Sequence, residues 1–276
     1  MLKLHIKMST SDLIRKALKI RRGIIEMLVP LESHHIGCSL SIVEILTFLY
    51  FEQMKINPKN PKDPNRDIFI LSKGHAGAAL YTTLAEKGFF DKKILKEFDI
   101  NGGFLPEHVT SVVPGIELST GSLGHGLPVG CGFTQSFKND NKKNRVVVLI
   151  SDGELNEGSN WEAMMFASSH KLDNLTVIVD CNKFQGYGKT KDIIDLTPLS
   201  QKIKAFGWNY FEINGHSFKD LKKIFEEIKN IKNNKPNFIL ANTIKGKGIS
   251  FFEGKFESHY KSITKEEKIN ILKGMK

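Results

Sequence analysis

The chain has 276 residues, 40% of them apolar and 25% charged, with 23 glycines and a formal net charge of +10. This is the composition of a folded globular protein, and it excludes a collagen-like repeat, a disordered tail and a peptide scaffold. No stretch approaches the roughly 18–20 uncharged apolar residues that span a bilayer, and the opening segment Met1–Lys7 is too broken by charge for a signal-peptide core.

Two further features narrow the class. The three cysteines, Cys38, Cys131 and Cys181, are far apart and lack CxxC spacing. They form neither a disulfide framework nor a structural zinc site, and a cytoplasmic location is expected. Only five of the 40 basic residues are arginines, and the lysines are scattered among asparagines, as in Lys138–Asn144. That texture reads as a solvated surface and not as a nucleic-acid or membrane face.

In chain order, Ser9–Val29 reads as a helix with Leu13, Ala17, Ile20, Ile24 and Leu28 on one stripe. Ser39–Met54 reads as a second helix, ended by the proline-rich segment Asn57–Pro64. Ile68–Leu71 is a short strand, Gly74-His75 opens a helix to about Lys87, and the turn Gly121–Gly124 enters an apolar helix toward Phe137. Arg145–Ile150 and Leu175–Val179 are continuous apolar runs, the mark of parallel strands buried on both faces, with a helix over Gly158–Ser169 between them. A helix near Ser200, a strand at Tyr210–Ile213, a helix at Phe218–Ile231 and a strand at Phe238–Asn242 follow, with a loop-rich tail after Lys245. Such alternation predicts an α/β fold: one open, mostly parallel sheet with helices on both faces, forming a single domain over residues 1–276.

Open α/β sheets bind ligands beyond the carboxyl ends of their strands. Two strands predicted to be neighbours deliver Asp152 and Asn182 to that edge. Both are hard oxygen donors suited to a magnesium ion that shares its coordination with phosphate and water. The alternative is that Asp152 caps the next helix and Asn182 serves a turn, and spacing alone leaves both open.

The stretch Asp152-Gly-Glu-Leu-Asn-Glu157-Gly158, followed by Leu172–Leu175 and Asp180-Cys-Asn-Lys183, resembles the thiamine-diphosphate signature in its transketolase form. The resemblance covers nearly the whole chain. Ser33–Leu40, Leu71–Ala76, Leu105–His108 with Pro114–Glu117 and Ser119–Gly124, and Thr243–Gly248 with Ser258–Tyr260 are similar to that family's four histidine segments, in order. It implies a transketolase domain of the thiamine-diphosphate-binding (PP) type, moving a two-carbon ketol unit from a ketose to an aldose. It also implies thiamine diphosphate with Mg2+, or Ca2+ as a substitute. Asp152, Asn182 and the carbonyl of Phe184 would hold the metal. His75, Gly121, Ser122, Leu123, Asp152, Gly153, Glu154 and Asn182 would bind the cofactor. His35 and His259 would face the ketose hydroxyls and assist proton removal at the C3 hydroxyl, His75 would lie near the diphosphate, and His108 would bind the donor's terminal hydroxyl. Glu157 would sit at the subunit contact. His5, His34, His125, His170 and His216 read as surface or packing residues.

Departures from the family pattern concern the substrate end. Ser151 replaces the first glycine of Gly-Asp-Gly, Cys181 the first asparagine of an Asn pair, Ile36 a proline and His125 a glutamine, while Glu107 and Val109 replace a glycine and a proline beside His108. Glu107 puts negative charge where the donor's hydroxyl end lies, which points to a modified ketose. Gly186-Tyr-Gly-Lys-Thr190 lacks the first P-loop glycine, Gly121–Gly126 has the wrong spacing for a dinucleotide fingerprint, and His34-His35 has no partner ligands for a metal.

The family's second (Pyr) domain, whose glutamate activates the cofactor, and its C-terminal domain have no counterpart before Lys276. A partner chain, the C-terminal transketolase subunit, is therefore expected to supply them in an α2β2 heterotetramer. Two alternatives are the α-type subunit of a thiamine-dependent 2-oxoacid decarboxylase or dehydrogenase, and a non-catalytic cofactor-binding interaction module.

Overall fold

The computed structural model describes residues 8–29 and 34–275. Ser33 of the first histidine segment, His5 and the Met1–Lys7 segment lie outside the described residues. Among the described residues there are seven strands: β1 (Ile68–Leu71), β2 (Val146–Ser151), β3 (Leu175–Cys181), β4 (Phe184–Gln185), β5 (Gly188–Lys189), β6 (Asn209–Asn214) and β7 (Asn237–Asn242). Five of them form one sheet in the order β1-β2-β3-β7-β6, every pair parallel, while β4 and β5 make a small antiparallel hairpin. The helices are α1 (Thr10–Leu28), α2 (Ile36–Leu40), α3 (Val43–Phe48), α4 (Gly77–Lys87), α5 (Gly126–Asn139), α6 (Gly158–Ser169), α7 (Thr190–Ile193), α8 (Leu199–Ala205), α9 (Phe218–Asn230) and α10 (Lys265–Gly274).

Alternate residues of each strand feed two cores, as the pleat requires. Phe69, Leu71, Val147, Leu149, Ile178 and Ile239 pack against α1, α3, α4 and α9. Ile70, Val148, Ile150, Val177, Val179 and Phe238 pack on the other face with Leu127 of α5, Met164 of α6 and Trp208. The α1 stripe is the expected one, and Ser9 caps the helix by accepting from the Asp12 N–H at 3.1 Å. No helix among the described residues is long and apolar enough to cross a membrane.

Three expectations change. The helix over Ser39–Met54 starts earlier, at Ile36, and breaks at Ser41–Ile42, because the Ser41 hydroxyl turns inward to the Cys38 carbonyl and the Asp180 carboxylate instead of staying on a helix surface. β3 runs two residues beyond Val179, so Asp180 is a sheet residue. The tail after Lys245 carries α10, which Thr264 and Glu267 start with a reciprocal capping box.

Candidate active site

Four adjacent strands end on one edge. β1 delivers Ser72 and Lys73, β2 delivers Asp152, β3 delivers Asp180 and Asn182, and β7 delivers Thr243. Chain order reverses between β3 and β7, which is where an open sheet leaves its crevice. Asp180, fully buried, is the hub of this edge. It accepts from Lys73 Nζ, Ser41 Oγ (2.7 Å), Asn182 Nδ2 (2.8 Å) and the Thr243 hydroxyl. Burial alone would raise its pKa, but the Lys73 ammonium and these donors hold it below the usual carboxylate range.

The hub sets the orientation of Asn182. A carboxylate only accepts, so Nδ2 must face Asp180 and Oδ1 must face away, where it meets the Phe184 N–H at 3.1 Å. Lys183 adopts a left-handed conformation (φ 72°) and turns the chain so that Phe184 returns beside Asn182. Asp152 is buried and accepts the N–H groups of Gly153 (2.9 Å) and Lys183 (2.7 Å), with no cation in contact among the described residues. Burial and the neighbouring Asp180 push its pKa up to about 6. With Lys73 taken up by Asp180, the buried Asp152 carboxylate and the Asn182 amide oxygen at neighbouring strand ends fit a hard divalent cation. Among the described residues no three His, Cys, Asp or Glu side chains cluster as a complete metal site, so such a cation would share oxygens with a ligand.

A cavity of about 260 Å³ opens beside this edge, lined by Leu123, Gly153, Asn156, Asn182, Gln185 and His259 among others. Gln185 Nε2 and Asn156 Oδ1 are buried there without hydrogen-bond partners among the described residues. Gly153 is required by a close approach: a Cβ would come within 2.7 Å of Gln185 Cβ, so the glycine makes room for that side chain. Gly121 packs on the His108 ring, and Leu123 lines the cavity while Ser122 is exposed. Glu154 lies underneath, fully buried. Its carboxylate accepts from the Ser72 hydroxyl and from the N–H groups of Gly124 (2.9 Å) and Ser151 (3.2 Å), so it braces the glycine-rich turn and leaves no free oxygen for the cavity. Glu157 is exposed at the start of α6, on the cavity rim.

Four histidines from four distant segments converge above the cavity. The His35 ring lies 5.0 Å from His75, 6.4 Å from His108 and 4.9 Å from His259, centroid to centroid. His35 is left-handed (φ 65°, ψ 17°), a costly conformation for a non-glycine residue that surrounding structure must impose. Its N–H donates to the His259 carbonyl at 3.0 Å. Gly37 lets the two segments press together, since a Cβ there would sit 2.8 Å from the Ser258 carbonyl oxygen. Glu107 bridges two rings, 3.8 Å from His35 Nε2 and 3.9 Å from His108 Nδ1.

Burial lowers the pKa of His35 and His75. At Cys38, which touches His75, burial works upward, but His75, Lys73 and Lys245 overcome it and bring the thiol to about 7, whereas burial pushes Cys131 and Cys181 up to about 12. His259 is lowered to about 3, by burial and by Lys245, whose Nζ lies 3.0 Å from its Nδ1. The remaining described histidines pack elsewhere: His216 joins Glu44 (2.8 Å) to the Ile244 N–H (2.9 Å), His34 and His125 meet main-chain carbonyls, and His170 stacks on Phe166.

The sequence pattern does not single out Lys73, Asp180, Gln185, Lys245 or Cys38 as site residues. A visible signal exists for Asp180 and Lys73, each a charged residue closing or following an apolar strand. The other three are defined by tertiary approach alone.

A family description, transketolase, thiamine diphosphate binding domain, matches residues 15–275. The chain is 44% identical to the 6-deoxy-6-sulfo-D-fructose transketolase subunit SqwG of a Clostridium species, over 92% of this chain and 93% of that protein. It is also 44% identical to one of the subunits of the apulose-4-phosphate transketolase of Actinobacillus succinogenes, over 92% of each. Its backbone superposes on the crystal structure of transketolase from Campylobacter jejuni with a TM-score of 0.91 and 31% identity, covering 97% of this chain and 43% of that one. Fold, motif order and these likenesses agree: the chain belongs to the transketolase family and carries its thiamine diphosphate binding domain.

Proposed function

We propose that this chain is the cofactor-diphosphate subunit of a two-chain transketolase that takes its two-carbon unit from a modified ketose. The observation that carries the reading is the convergence of His35, His75, His108 and His259, with His75, His259 and Asn182 lining one cavity and Asp152 at the neighbouring strand end. Asp152, Asn182 and the Phe184 carbonyl would hold Mg2+, and the orphaned Gln185 amide would donate to a diphosphate oxygen. Thiamine diphosphate, when bound, supplies the nucleophilic carbon and the electron sink for carbon–carbon cleavage. The histidines orient the ketose hydroxyls, and His35, neutral near pH 7, is placed to accept a hydroxyl proton with Glu107 beside it to stabilise the imidazolium.

A partner chain is supported by the relatives named above, which are themselves subunits. We assign the glutamate that activates the cofactor to that partner, Glu157 to the contact with it, and α2β2 to the assembly. A cytoplasmic setting agrees with three free cysteines.

The substrate class rests on Glu107. Its carboxylate, set between two substrate-facing histidines, accepts hydroxyl hydrogens of the ketose. The names of the two relatives refer to a sulfosugar and to apulose phosphate, both departures from ordinary pentose phosphates. With the partner chain, thiamine diphosphate and Mg2+ present, kcat/KM for such ketoses is expected to exceed that for xylulose 5-phosphate, and the reverse order would contradict the assignment. Glu107→Gln should shift the ratio of the two kcat/KM values by about 10-fold toward xylulose 5-phosphate. An unchanged ratio would remove Glu107 from specificity.

A further inference from the structure

We infer that His216 is a positioning residue: with Glu44 and Arg21 it clamps residues 243–248, the loop after β7, and so sets where Thr243 and Lys245 stand at the strand-end edge. What that edge does rests on the transketolase reading above; the clamp rests on the geometry of this chain.

The loop lies outside the helices and strands, so its backbone groups need partners from elsewhere. Two of those partners are side chains from distant segments. The Ile244 N–H donates to His216 Nε2 at 2.9 Å, and the Lys247 carbonyl accepts from Arg21 Nε at 2.9 Å. Both side chains end on one carboxylate of α3: Glu44 Oε1 accepts from Arg21 at 2.7 Å, and Oε2 faces His216 Nδ1 at 2.8 Å. A backbone N–H can only donate, so Nε2 accepts and Nδ1 carries the proton shared with Glu44. Burial would raise the pKa of Glu44, yet the His216 hydrogen bond and the Arg21 guanidinium hold it below the usual carboxylate range. Residues of α1, α3 and the β6–α9 turn thus grip one loop at Ile244 and at Lys247.

The approach is tight. A Cβ on Gly248 (φ 95°) would stand 2.5 Å from Arg21 Cδ, and one on Gly215, beside His216, would stand 2.6 Å from Thr243 Cγ2. Ile244 sits between two residues of the edge: the Thr243 hydroxyl donates to Asp180, and Lys245 is 1% exposed with its Nζ 3.0 Å from His259 Nδ1. Arg21, Glu44 and His216 stand outside the cavity that Lys245 and His259 line, with side chains 10–12% exposed. Replacing such a buried ionic set by apolar groups is often close to neutral for stability. Its product here is the placement of the loop.

The test uses two variants that each keep one half of the ring. A glutamine amide oxygen reaches the Nε2 position, and an asparagine amide reaches only the Nδ1 position. His216→Gln therefore keeps the acceptor for Ile244, while His216→Asn loses it and keeps the donor to Glu44. Reductive methylation of the full chain, read by mass spectrometry with the fully buried Lys73 as internal reference, reports on the loop. Lys245 is expected to react about 10-fold faster in His216→Asn than in wild type or His216→Gln, with Lys73 unchanged, as local opening of one segment requires. Equal Lys245 rates in the two variants would overturn the clamp. Arg21→Met/Glu44→Leu/His216→Phe covers the case in which His216→Asn loses the fold: it should melt within about 5 °C of wild type and still free Lys245. A triple variant that keeps Lys245 protected, or that melts far below wild type, would overturn the positioning role. None of these readouts needs turnover. In the paired enzyme His216→Asn should lower kcat about 10-fold and His216→Gln should keep it; an active pair with unchanged kcat in His216→Asn would overturn the role in the reaction. Absence of ketol transfer in the wild-type pair would count against the functional reading and leave the labelling result standing.

Discussion

Asp152→Ala is expected to abolish the magnesium dependence of thiamine diphosphate retention and to weaken cofactor affinity by about 100- to 1,000-fold, the equivalent of about 3–4 kcal/mol. Asp152 is the one carboxylate of the proposed metal set, and it already bears the cost of burial beside Asp180 with no cation in contact among the described residues. Removing it takes away the strongest attraction for Mg2+ while leaving the strand end packed, because its hydrogen bonds go only to the Gly153 and Lys183 N–H groups. The folded chain without ligands should therefore melt close to the wild-type temperature. Calorimetric titration with thiamine diphosphate, with Mg2+ or with chelator, separates the cases. An Asp152→Ala chain that still binds the cofactor more tightly with Mg2+ than with chelator would show that the ion sits elsewhere.

The largest expected effect on stability comes from Lys73→Met. Lys73 and Asp180 are both fully buried, and the lysine is the only cation in contact with that carboxylate among the described residues. Removing one partner of a buried pair leaves an uncompensated charge that costs about 3–5 kcal/mol, a fall of roughly 10 °C in melting temperature for a chain of this size. Lys73→Met/Asp180→Leu should recover most of that loss, since replacing a buried pair by apolar groups is often close to neutral. It should not recover cofactor binding, because Asn182 loses the carboxylate that turns its Oδ1 toward the metal position. Thermal melts of both variants, read beside thiamine diphosphate titrations, test the two halves separately. A single variant as stable as wild type, or a double variant that binds cofactor normally, would contradict the role of this hub.

The scaffold was legible wherever burial writes a pattern along the chain. β2 and β3 are buried on both faces, so their sequences are unbroken apolar runs. The roles of Asp152 and Asn182 were suggested by residue type at two strand ends, and the histidine segments by motif order. Less legible were features that depend on what approaches from elsewhere. Asp180 looked like the polar residue after a strand, yet it is interior because Lys73, Ser41 and Thr243 arrive from three separate segments, with Asn182 two residues on, to satisfy it. The break at Ser41–Ile42 has the same origin, a hydroxyl drawn to that carboxylate. α10 carried a readable capping box, but its apolar residues are only partly covered and leave a weak stripe. The pairing of Lys245 with His259 joins two loops 14 residues apart with no periodic signal.

Completion of the transketolase site by a second chain has one decisive assay. Ketol transfer to an aldose is measured, with thiamine diphosphate and Mg2+ present, for this chain alone and for this chain co-expressed with a chain carrying the cofactor-activating glutamate. Transfer by the pair and none by the single chain is the expected result. A pair that binds thiamine diphosphate but transfers no ketol unit from any ketose, or a single chain that turns over unaided, would contradict it.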